Sequence, residues 1–226
     1  MGKNISYQFA IVGFLFLSGL FLSQHNSLNA QQSLYFHERN TDFRNALDLY
    51  EKEKFYAAQE YFEKTIHQIQ DVHSEVRIDA EYYRALCAIE LFHDNAAVLL
   101  RNFIEDHPES PHITSAYFNL AKFQFRKRRY EDVLIYLSAI DPLDLKKEEQ
   151  AEYYFKKGYA HFQLEEYESA ANAFYEIKDT DNPYVSAARY YYAHIAYLNK
   201  NYETASQNFK KIEHDPQFGS LVPYYL

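Results

Sequence analysis

Small residues recur along this chain at intervals of 35 to 39 residues, each inside a stretch with helical periodicity. They are Ala46, Ala85, Ala121, Gly158 and Ala193. A period of this length is the signature of a repeat architecture, in which each repeat is one supersecondary unit that stacks on its neighbours. The period therefore constrains the fold more than any other feature of the sequence.

Each unit continues with a short polar turn and a second helical stretch. In that stretch a small residue is followed four positions later by a large apolar residue, and such a pair lies on one helix face. Pro, Asp, Asn and His cluster between the units, where they end one helix and begin the next. The sequence therefore predicts tandem antiparallel helix pairs. The second-helix pairs are Ala58 with Phe62, Ala96 or Ala97 with Leu100, Val133 with Leu137, Ala170 with Phe174, and Ala205 with Phe209.

Gly158 lies deep inside the helical segment 152–177. An interior glycine costs a helix roughly 1 kcal/mol relative to alanine, so packing must require the missing side chain. The alignment of units places Gly158 opposite Ala170. We therefore expect the two helix backbones to cross there more closely than the usual separation of about 8 to 10 Å.

This pattern resembles the tetratricopeptide repeat family, whose unit of about 34 residues has small residues at positions 8 and 20 and an aromatic residue at position 24. The family's tryptophan position is filled by Tyr117 and Tyr154 in two units and by polar residues elsewhere. The resemblance implies an all-α, right-handed solenoid of antiparallel helix pairs with an open concave groove. The five units cover approximately residues 39–72, 78–106, 114–141, 151–178 and 186–214, and residues 217–226 resemble the start of a sixth.

The last eleven residues, PQFGSLVPYYL (216–226), allow two interpretations. Tyr224 and Tyr225 align with Tyr190 and Tyr191, so we expect the chain to be the amino-terminal part of a longer repeat protein. The alternative is a short chain whose tail folds back as a cap over the last apolar face.

Residues 1–30 have the pattern of a secretory signal peptide. Lys3 precedes an apolar run from Phe9 to Leu22, and a polar stretch then ends at the small residue Ala30. The run is shorter than the ~20 residues that a membrane-spanning helix needs. We therefore expect the mature domain to begin near residue 31, without a membrane span, in the periplasm, at the outer membrane or outside the cell. An uncleaved anchor is the alternative.

Composition excludes several classes of protein. Aromatic residues make up 18% of the chain, with only 5 glycines and 6 prolines, which favours an ordered helical protein. There are 32 acidic residues against 23 basic ones, and a net negative chain repels phosphate backbones, so we expect no nucleic-acid partner. Cys87 is the only cysteine, which excludes an internal disulfide, and we expect a buried thiol.

Motifs that carry chemistry are absent from the sequence. The ten histidines have no metal-ligand spacing, and there is no HExxH, CxxC, GxSxG or glycine-rich phosphate loop. We therefore expect no metal, no cofactor and no enzymatic activity. The basic run RKRR (126–129) has two interpretations: it complements the carboxyl-terminal dipole of a helix, which we favour, or it forms a patch for an acidic partner.

The family resemblance also indicates candidate residues for binding a partner on the concave face. In such repeats the first-helix positions 2, 5, 9 and 12 face a ligand, and here positions 5 and 12 are aromatic or apolar in every unit. These side chains either anchor a peptide or pack between units, and packing is the interpretation we favour. Lys122 alone matches the Lys and Asn pattern with which some members clamp a terminal carboxylate, which does not support that clamp. The candidates are Phe118, Lys122, Phe125, Phe155, Tyr159, Phe162, Tyr190, His194 and Tyr197.

These features together predict a protein-interaction scaffold that functions outside the cytoplasm, in assembly of the cell envelope. The chain resembles the tyrosine-rich, exported repeat proteins of Gram-negative bacteria of the Bacteroidota type. The expected partner is a protein or peptide. Two alternatives stay open: an envelope module that binds a glycan or peptide, and the docking arm of a longer protein with a functional domain downstream.

Overall fold

The computed structural model describes residues 41–226, and the predicted signal peptide lies outside these described residues. Residues 41–226 contain ten α-helices and two short 3-10 segments, with no strand among them. The prediction of an all-α fold of tandem helix pairs is confirmed. The helices are α1 (41–51), α2 (Phe55–Gln68), α3 (Glu75–Glu90), α4 (Ala96–Asp106), α5 (Ile113–Arg126), α6 (Tyr130–Ser138), α7 (Lys147–Gln163), α8 (Tyr167–Tyr175), α9 (Val185–Leu198) and α10 (Tyr202–Lys210), and the 3-10 segments are Pro142–Asp144 and Val222–Tyr224.

The turn inside each helix pair has one recurring geometry. One residue in each turn has a φ between 56° and 63°, in the left-handed region. The backbone N–H of the next residue donates to the carbonyl oxygen five positions earlier, over 2.8 to 3.1 Å. This is the Schellman arrangement that satisfies the last carbonyls of a helix, and glycine is its usual left-handed residue. Here that residue is Glu53, Phe92, Arg128, Glu165 or Lys200.

The chain divides into two compact units, and the first comprises residues up to Cys87. Within its described part, α1, α2 and the start of α3 share a core around Phe62, which is fully buried. The ring of Tyr83 stacks on Phe62 with centroids 5.6 Å apart and planes 14° apart. Cys87 is buried in the same core, as predicted.

The second unit comprises residues 88–226. Each helix from α4 to α9 packs against the next one along the chain, and α5 also contacts α7. The first helices of successive pairs are therefore neighbours, as in a solenoid. Of the two possible small residues in α4, Ala96 is the one that is fully buried. Successive cores form around Leu137, Phe174 and Phe209.

The reason for Gly158 differs from the one that the alignment predicts. A Cβ atom on Gly158 would lie 2.8 to 3.0 Å from three ring carbons of Phe174. Gly158 and Ala170 are both buried, but the space beside the glycine is filled by the Phe174 ring. The glycine therefore accommodates an aromatic ring, which the comparison of aligned positions does not reveal.

Residues 216–226 fold back onto the last helix pair. Phe218 and Val222 are buried against α9 and α10. Tyr225 stacks on Phe209 with centroids 4.5 Å apart and planes 12° apart. In the preceding unit Tyr191 stacks on Phe174 in the same way, at 5.4 Å and 15°. The tail thus takes the place that the first helix of the following unit occupies elsewhere.

Candidate functional site

A small recess lies where α5 and α7 run side by side. Asn119, Lys122 and Arg126 are spaced three and four residues apart on α5, so that they share one helix face. Glu152 and Lys156 face them from α7. Together with Ile89 and Glu90 at the end of α3, these side chains line a volume of about 190 Å³, which is called the basic pocket below.

The basic pocket concentrates positive charge around a partly desolvated lysine. The side chain of Lys156 is only 13% exposed, and its Nζ lies 3.3 Å from the Glu152 carboxylate. Burial lowers the pKa of Lys156; Glu152 opposes that shift, whereas Lys122 and Arg126 add to it. The pKa of Lys156 is lowered because the Glu152 carboxylate does not compensate for the burial of the lysine and for the repulsion from Lys122 and Arg126. A further anion in the pocket would stabilise all three cations.

Aromatic rings hold these cations in place. Lys156 Nζ lies 4.3 Å from the ring centroid of Phe125, and Lys122 Nζ lies 4.8 Å from that of Phe118. The Arg126 guanidinium lies 4.7 Å from the ring centroid of Phe92. Contacts with ring faces orient a cation without using its N–H groups in strong hydrogen bonds. The arrangement suits binding of a carboxylate.

A substitution pattern in the repeats explains why the recess lies at this place. Two residues before the small residue of a first helix, the chain has Tyr83, Asn119, Lys156 or Tyr191. The two tyrosines follow units whose second helix has phenylalanine at the large apolar position, and each stacks on that phenylalanine. Asn119 and Lys156 follow the units in which that residue is leucine. Where the ring is replaced by an aliphatic side chain, the stacking tyrosine is replaced by a polar residue.

Three of the candidate residues predicted from the sequence lie at the basic pocket. Lys122 lines the pocket, and the buried ring of Phe118, which is 1% exposed, lies 4.8 Å from Lys122 Nζ. Phe125 is half-buried and contacts Lys156 as well as Tyr159, whose ring centroid is 5.4 Å away. The structure therefore groups these three with the pocket, and their part in binding a partner stays a prediction.

The candidates on α7 pack against neighbouring helices. Phe155 stacks on Tyr184 with centroids 4.8 Å apart. Tyr159 and Phe162 both contact Tyr191 on α9, at 5.3 and 5.0 Å between ring centroids. These rings connect consecutive helix pairs, which is the packing arrangement that the sequence analysis favours.

The candidates on α9 contact the tail. Tyr190 stacks on Phe218 with centroids 4.9 Å apart, and burial together with a hydrogen bond to Tyr225 raises the pKa of Tyr190 to about 12. His194 lies 3.3 Å from the Tyr225 hydroxyl, and burial lowers the pKa of His194. Tyr197 is 38% exposed and touches Tyr225. The tail therefore covers part of this face.

Six of the seven residues that line the basic pocket were not among the sequence candidates. Asn119, Arg126 and Lys156 fall outside the ligand-facing positions taken from the family, and Glu152 falls on one of them but is acidic. The signal that could have found the pocket is the coupled change from phenylalanine to leucine and from tyrosine to a polar residue in the middle units.

A second recess of about 460 Å³ lies on α7 and α8. It contains donors and acceptors of several kinds beside one tyrosine. His161 lines this recess, and its Nδ1 lies 2.6 Å from Oε2 of Glu166. The lining residues are Tyr154, Lys157, His161, Ser169, Asn172, Ala173 and Glu176.

Residues 41–226 contain neither a candidate metal site nor a candidate membrane span. No group of three or more His, Cys, Asp or Glu side chains in this range is arranged to hold a metal ion. No helix in the same range has the length and apolarity to cross a membrane.

Comparison with known proteins gives relatives in structure but not in sequence. No protein-family model matches the chain, and no curated protein matches it. Among solved structures, a double mutant of MamA RS-1 superimposes with a TM-score of 0.62 at 16% identity, over 78% of this chain and 93% of its own. MamA from Desulfovibrio magneticus RS-1, residues 41 to the end, gives a TM-score of 0.60 at 16% identity, over 78% of this chain and 94% of its own.

A third similar structure comes from a eukaryote. The TPR-like repeats of a kinesin light chain from Podosopora anserina give a TM-score of 0.57 at 13% identity, over 77% of this chain and 92% of that chain. Identities this low show the fold alone. The helix pairs, the contacts between successive first helices and these superpositions together establish that the chain has a fold of the tetratricopeptide-repeat type.

Proposed function

We propose that this protein is an interaction scaffold that binds a segment of a partner protein across α5 and α7, with the basic pocket as the anchoring point. The observation that carries the proposal is the convergence of Lys122, Arg126 and Lys156 around one recess. Burying a lysine is unfavourable unless something compensates for it. Among residues 41–226 only Glu152 forms an ion pair with Lys156, so a bound acidic group would complete the site.

We further propose that the scaffold functions outside the cytoplasm, in assembly of the cell envelope. Support comes from the apolar run Phe9 to Leu22 after Lys3, followed by a polar stretch that ends at Ala30. Cell fractionation followed by sequencing of the mature amino terminus tests this part. A mature protein that begins near residue 31 outside the cytoplasm is the expected result, and an intact cytoplasmic protein would contradict it.

Site-specific photo-cross-linking tests the scaffold. A photoreactive residue is placed at Asn119, which lines the pocket, and as a matched control at the exposed Lys147, which begins α7. In an envelope extract we expect a discrete protein adduct from position 119 and none from position 147. The adduct should disappear when Lys122 and Lys156 are both changed to glutamine. Equal labelling from both positions, or no protein adduct, would sink the proposal.

The recess on α7 and α8 favours a second candidate function, the binding of a small glycan. Its volume of about 460 Å³ is within the range of ligand sites, and it offers hydroxyl, amide, amine and carboxylate groups beside Tyr154. Saturation-transfer NMR with soluble oligosaccharides from the envelope measures this directly. Transfer that Asn172→Leu abolishes, without any protein adduct at position 119, would favour this candidate over the scaffold.

A further inference from the structure

Phe92 has an unfavourable backbone conformation that its surroundings do not explain. Its φ is 56°, and a bulky residue in the left-handed region is a genuine outlier. The four equivalent turns have charged residues at this position: Glu53, Arg128, Glu165 and Lys200. The Phe92 ring is 63% exposed, so burial in a core does not offset the backbone strain.

The ring of Phe92 contacts a residue that lines the basic pocket. Arg126, which lines the pocket, also has its guanidinium 4.7 Å from the Phe92 ring centroid. The same guanidinium donates a hydrogen bond from Nη2 to the Ile89 carbonyl oxygen, over 3.4 Å. Arg126 therefore connects an exposed apolar surface with a cationic recess. Strain at an exposed residue of this kind is typical of functional sites.

We infer that Phe92 and the basic pocket together recognise a partner segment in which one carboxylate lies within about two residues of an apolar side chain. This inference rests on the proposed scaffold function. It names the chemistry of the partner and identifies Phe92 as a residue that determines specificity.

The charge of the pocket fits a single carboxylate. Its three cations, Lys122, Arg126 and Lys156, face the two acids Glu90 and Glu152, which leaves an excess of one positive charge. A carboxylate matches that excess, whereas a phosphate dianion or a nucleic acid would exceed it. The chain as a whole carries 32 acidic against 23 basic residues, which further disfavours polyanions.

Geometry limits the spacing on the partner. The guanidinium-to-ring distance is 4.7 Å, so a carboxylate on Arg126 and a side chain on the Phe92 ring lie only a few ångströms apart. An extended chain advances roughly 3.3 Å per residue, which corresponds to one or two residues. We therefore expect the acidic and the apolar residue to be adjacent or separated by one residue.

The test uses fluorescein-labelled, end-blocked octapeptides made of serine and glycine except at two positions. The reference peptides carry one glutamate with a phenylalanine placed two residues before or after it. Matched peptides replace the glutamate with glutamine or the phenylalanine with serine. Fluorescence anisotropy with the full chain should show binding of a reference peptide, weakened roughly tenfold by either replacement.

Two protein variants separate a role of Phe92 in binding from a role in folding. Phe92→Gly and the control Glu165→Gly each place glycine at a position with a left-handed backbone. Glycine adopts this conformation without steric cost, so both substitutions should raise the melting temperature. Only Phe92→Gly should weaken binding of the reference peptide, by roughly tenfold. Phe92→Asn, which also tolerates the left-handed region, should weaken binding equally.

The outcomes distinguish this inference from the proposed function. Peptides that bind as tightly with glutamine as with glutamate, or Phe92→Gly that retains full binding, would overturn the inference. If position 119 still cross-links to a protein in that case, the scaffold stands with a partner of different chemistry. Loss of melting temperature in Phe92→Gly but not in Glu165→Gly would assign Phe92 to folding and overturn its role in specificity.

Discussion

Two parts of the second unit share one architecture but differ in the residues at one repeated position. From α7 to the tail, Phe174 and Phe209 each have a tyrosine of the next segment stacked on them. Between α5 and α7 the corresponding large residue is Leu137, and the position that tyrosine holds elsewhere is Lys156. One substitution in the second helix thus accompanies the change from a filled aromatic layer to a polar recess. The fold accommodates either a packed ring or a polar side chain at this position.

The filled part packs its tyrosines ring against ring. Tyr191 contacts Tyr159 and Phe162, with ring centroids 5.3 and 5.0 Å apart, and stacks on Phe174. Burial is the main cause that raises the pKa of Tyr191, so its hydroxyl stays neutral within the layer. The recess, in contrast, has a surplus of cationic donors.

Phe174→Ala should give the largest loss of stability in the filled part. The side chain is fully buried, stacks on Tyr191 and lies against Gly158, so its removal leaves a cavity inside three helices. Truncation of a buried phenylalanine costs about 3 to 5 kcal/mol. Urea unfolding followed by circular dichroism measures the change. Tyr175→Ala is the control, since Tyr175 is 60% exposed, and a comparable loss there would contradict the assignment.

Replacing the two equivalent residues of α7 and α9 tests the comparison directly. Tyr191→Ala removes a ring that contacts Phe174, Tyr159 and Phe162. We expect it to lower the free energy of unfolding by ~2 to 4 kcal/mol.

Lys156→Ala should change the free energy of unfolding by less than ~1 kcal/mol, because loss of a partly buried charge offsets loss of its ion pair. Binding at the basic pocket should fall instead. If both substitutions destabilise the protein equally, the position has a packing role in both places, and the comparison fails.

The sequence was sufficient to predict the helix pairs because their signals are local and repeated. Small residues, polar turns and proline-containing breaks recur in each unit, and the alignment of Tyr225 with Tyr191 predicts two rings that do stack equivalently. Each of these features depends on the spacing within one or two helices. Periodicity encodes such spacing directly.

The basic pocket and the neighbour of Gly158 were beyond that reasoning for physical reasons. The pocket is formed by side chains from α3, α5 and α7, and the distance between these helices depends on how successive helix pairs stack. Periodicity shows that Gly158 faces the second helix, but only the side-chain rotamer of Phe174 decides that a ring fills the space. The exposure of Phe92 and its left-handed backbone likewise follow from the turn geometry.

Gly158→Ala should have an intermediate effect. The added Cβ would lie 2.8 Å from the Phe174 ring, which is also stacked against Tyr191. Overpacking of about 1 to 3 kcal/mol should outweigh the gain in helix propensity of roughly 1 kcal/mol. The double substitution Gly158→Ala with Phe174→Leu reproduces the pair that Ala121 and Leu137 form in the preceding unit. It should therefore show a smaller combined loss than the sum of the two single changes, and strict additivity would contradict contact between them.

The smallest expected effect concerns the ion pairs that close the filled part. Asp179 accepts a hydrogen bond from Lys178 and another from Arg189, whose Nη2 lies 2.8 Å from Oδ1 of Asp179. These bonds hold the pKa of Asp179 well below its usual range. Lys178 is buried with its Nζ 4.5 Å from the ring centroid of Tyr175. Because the Asp179 side chain is 48% exposed, solvent screening limits its contribution to about 1 kcal/mol.

The pH dependence of that contribution can be predicted in sign. A carboxyl group whose pKa is depressed on folding stabilises the protein above its unfolded pKa of about 3.9, and the stabilisation is lost as the pH falls toward the folded value. Asp179→Asn should therefore lower the melting temperature at pH 7, and the difference from the wild type should shrink below about pH 4. Glu152→Gln, which removes the ion pair with Lys156 at the basic pocket, is the matched control. An equal loss of melting temperature there would mean that ion pairing stabilises both parts alike. A constant difference between wild type and Asp179→Asn from pH 7 to pH 3 would show that Asp179 acts through packing, and not through its charge.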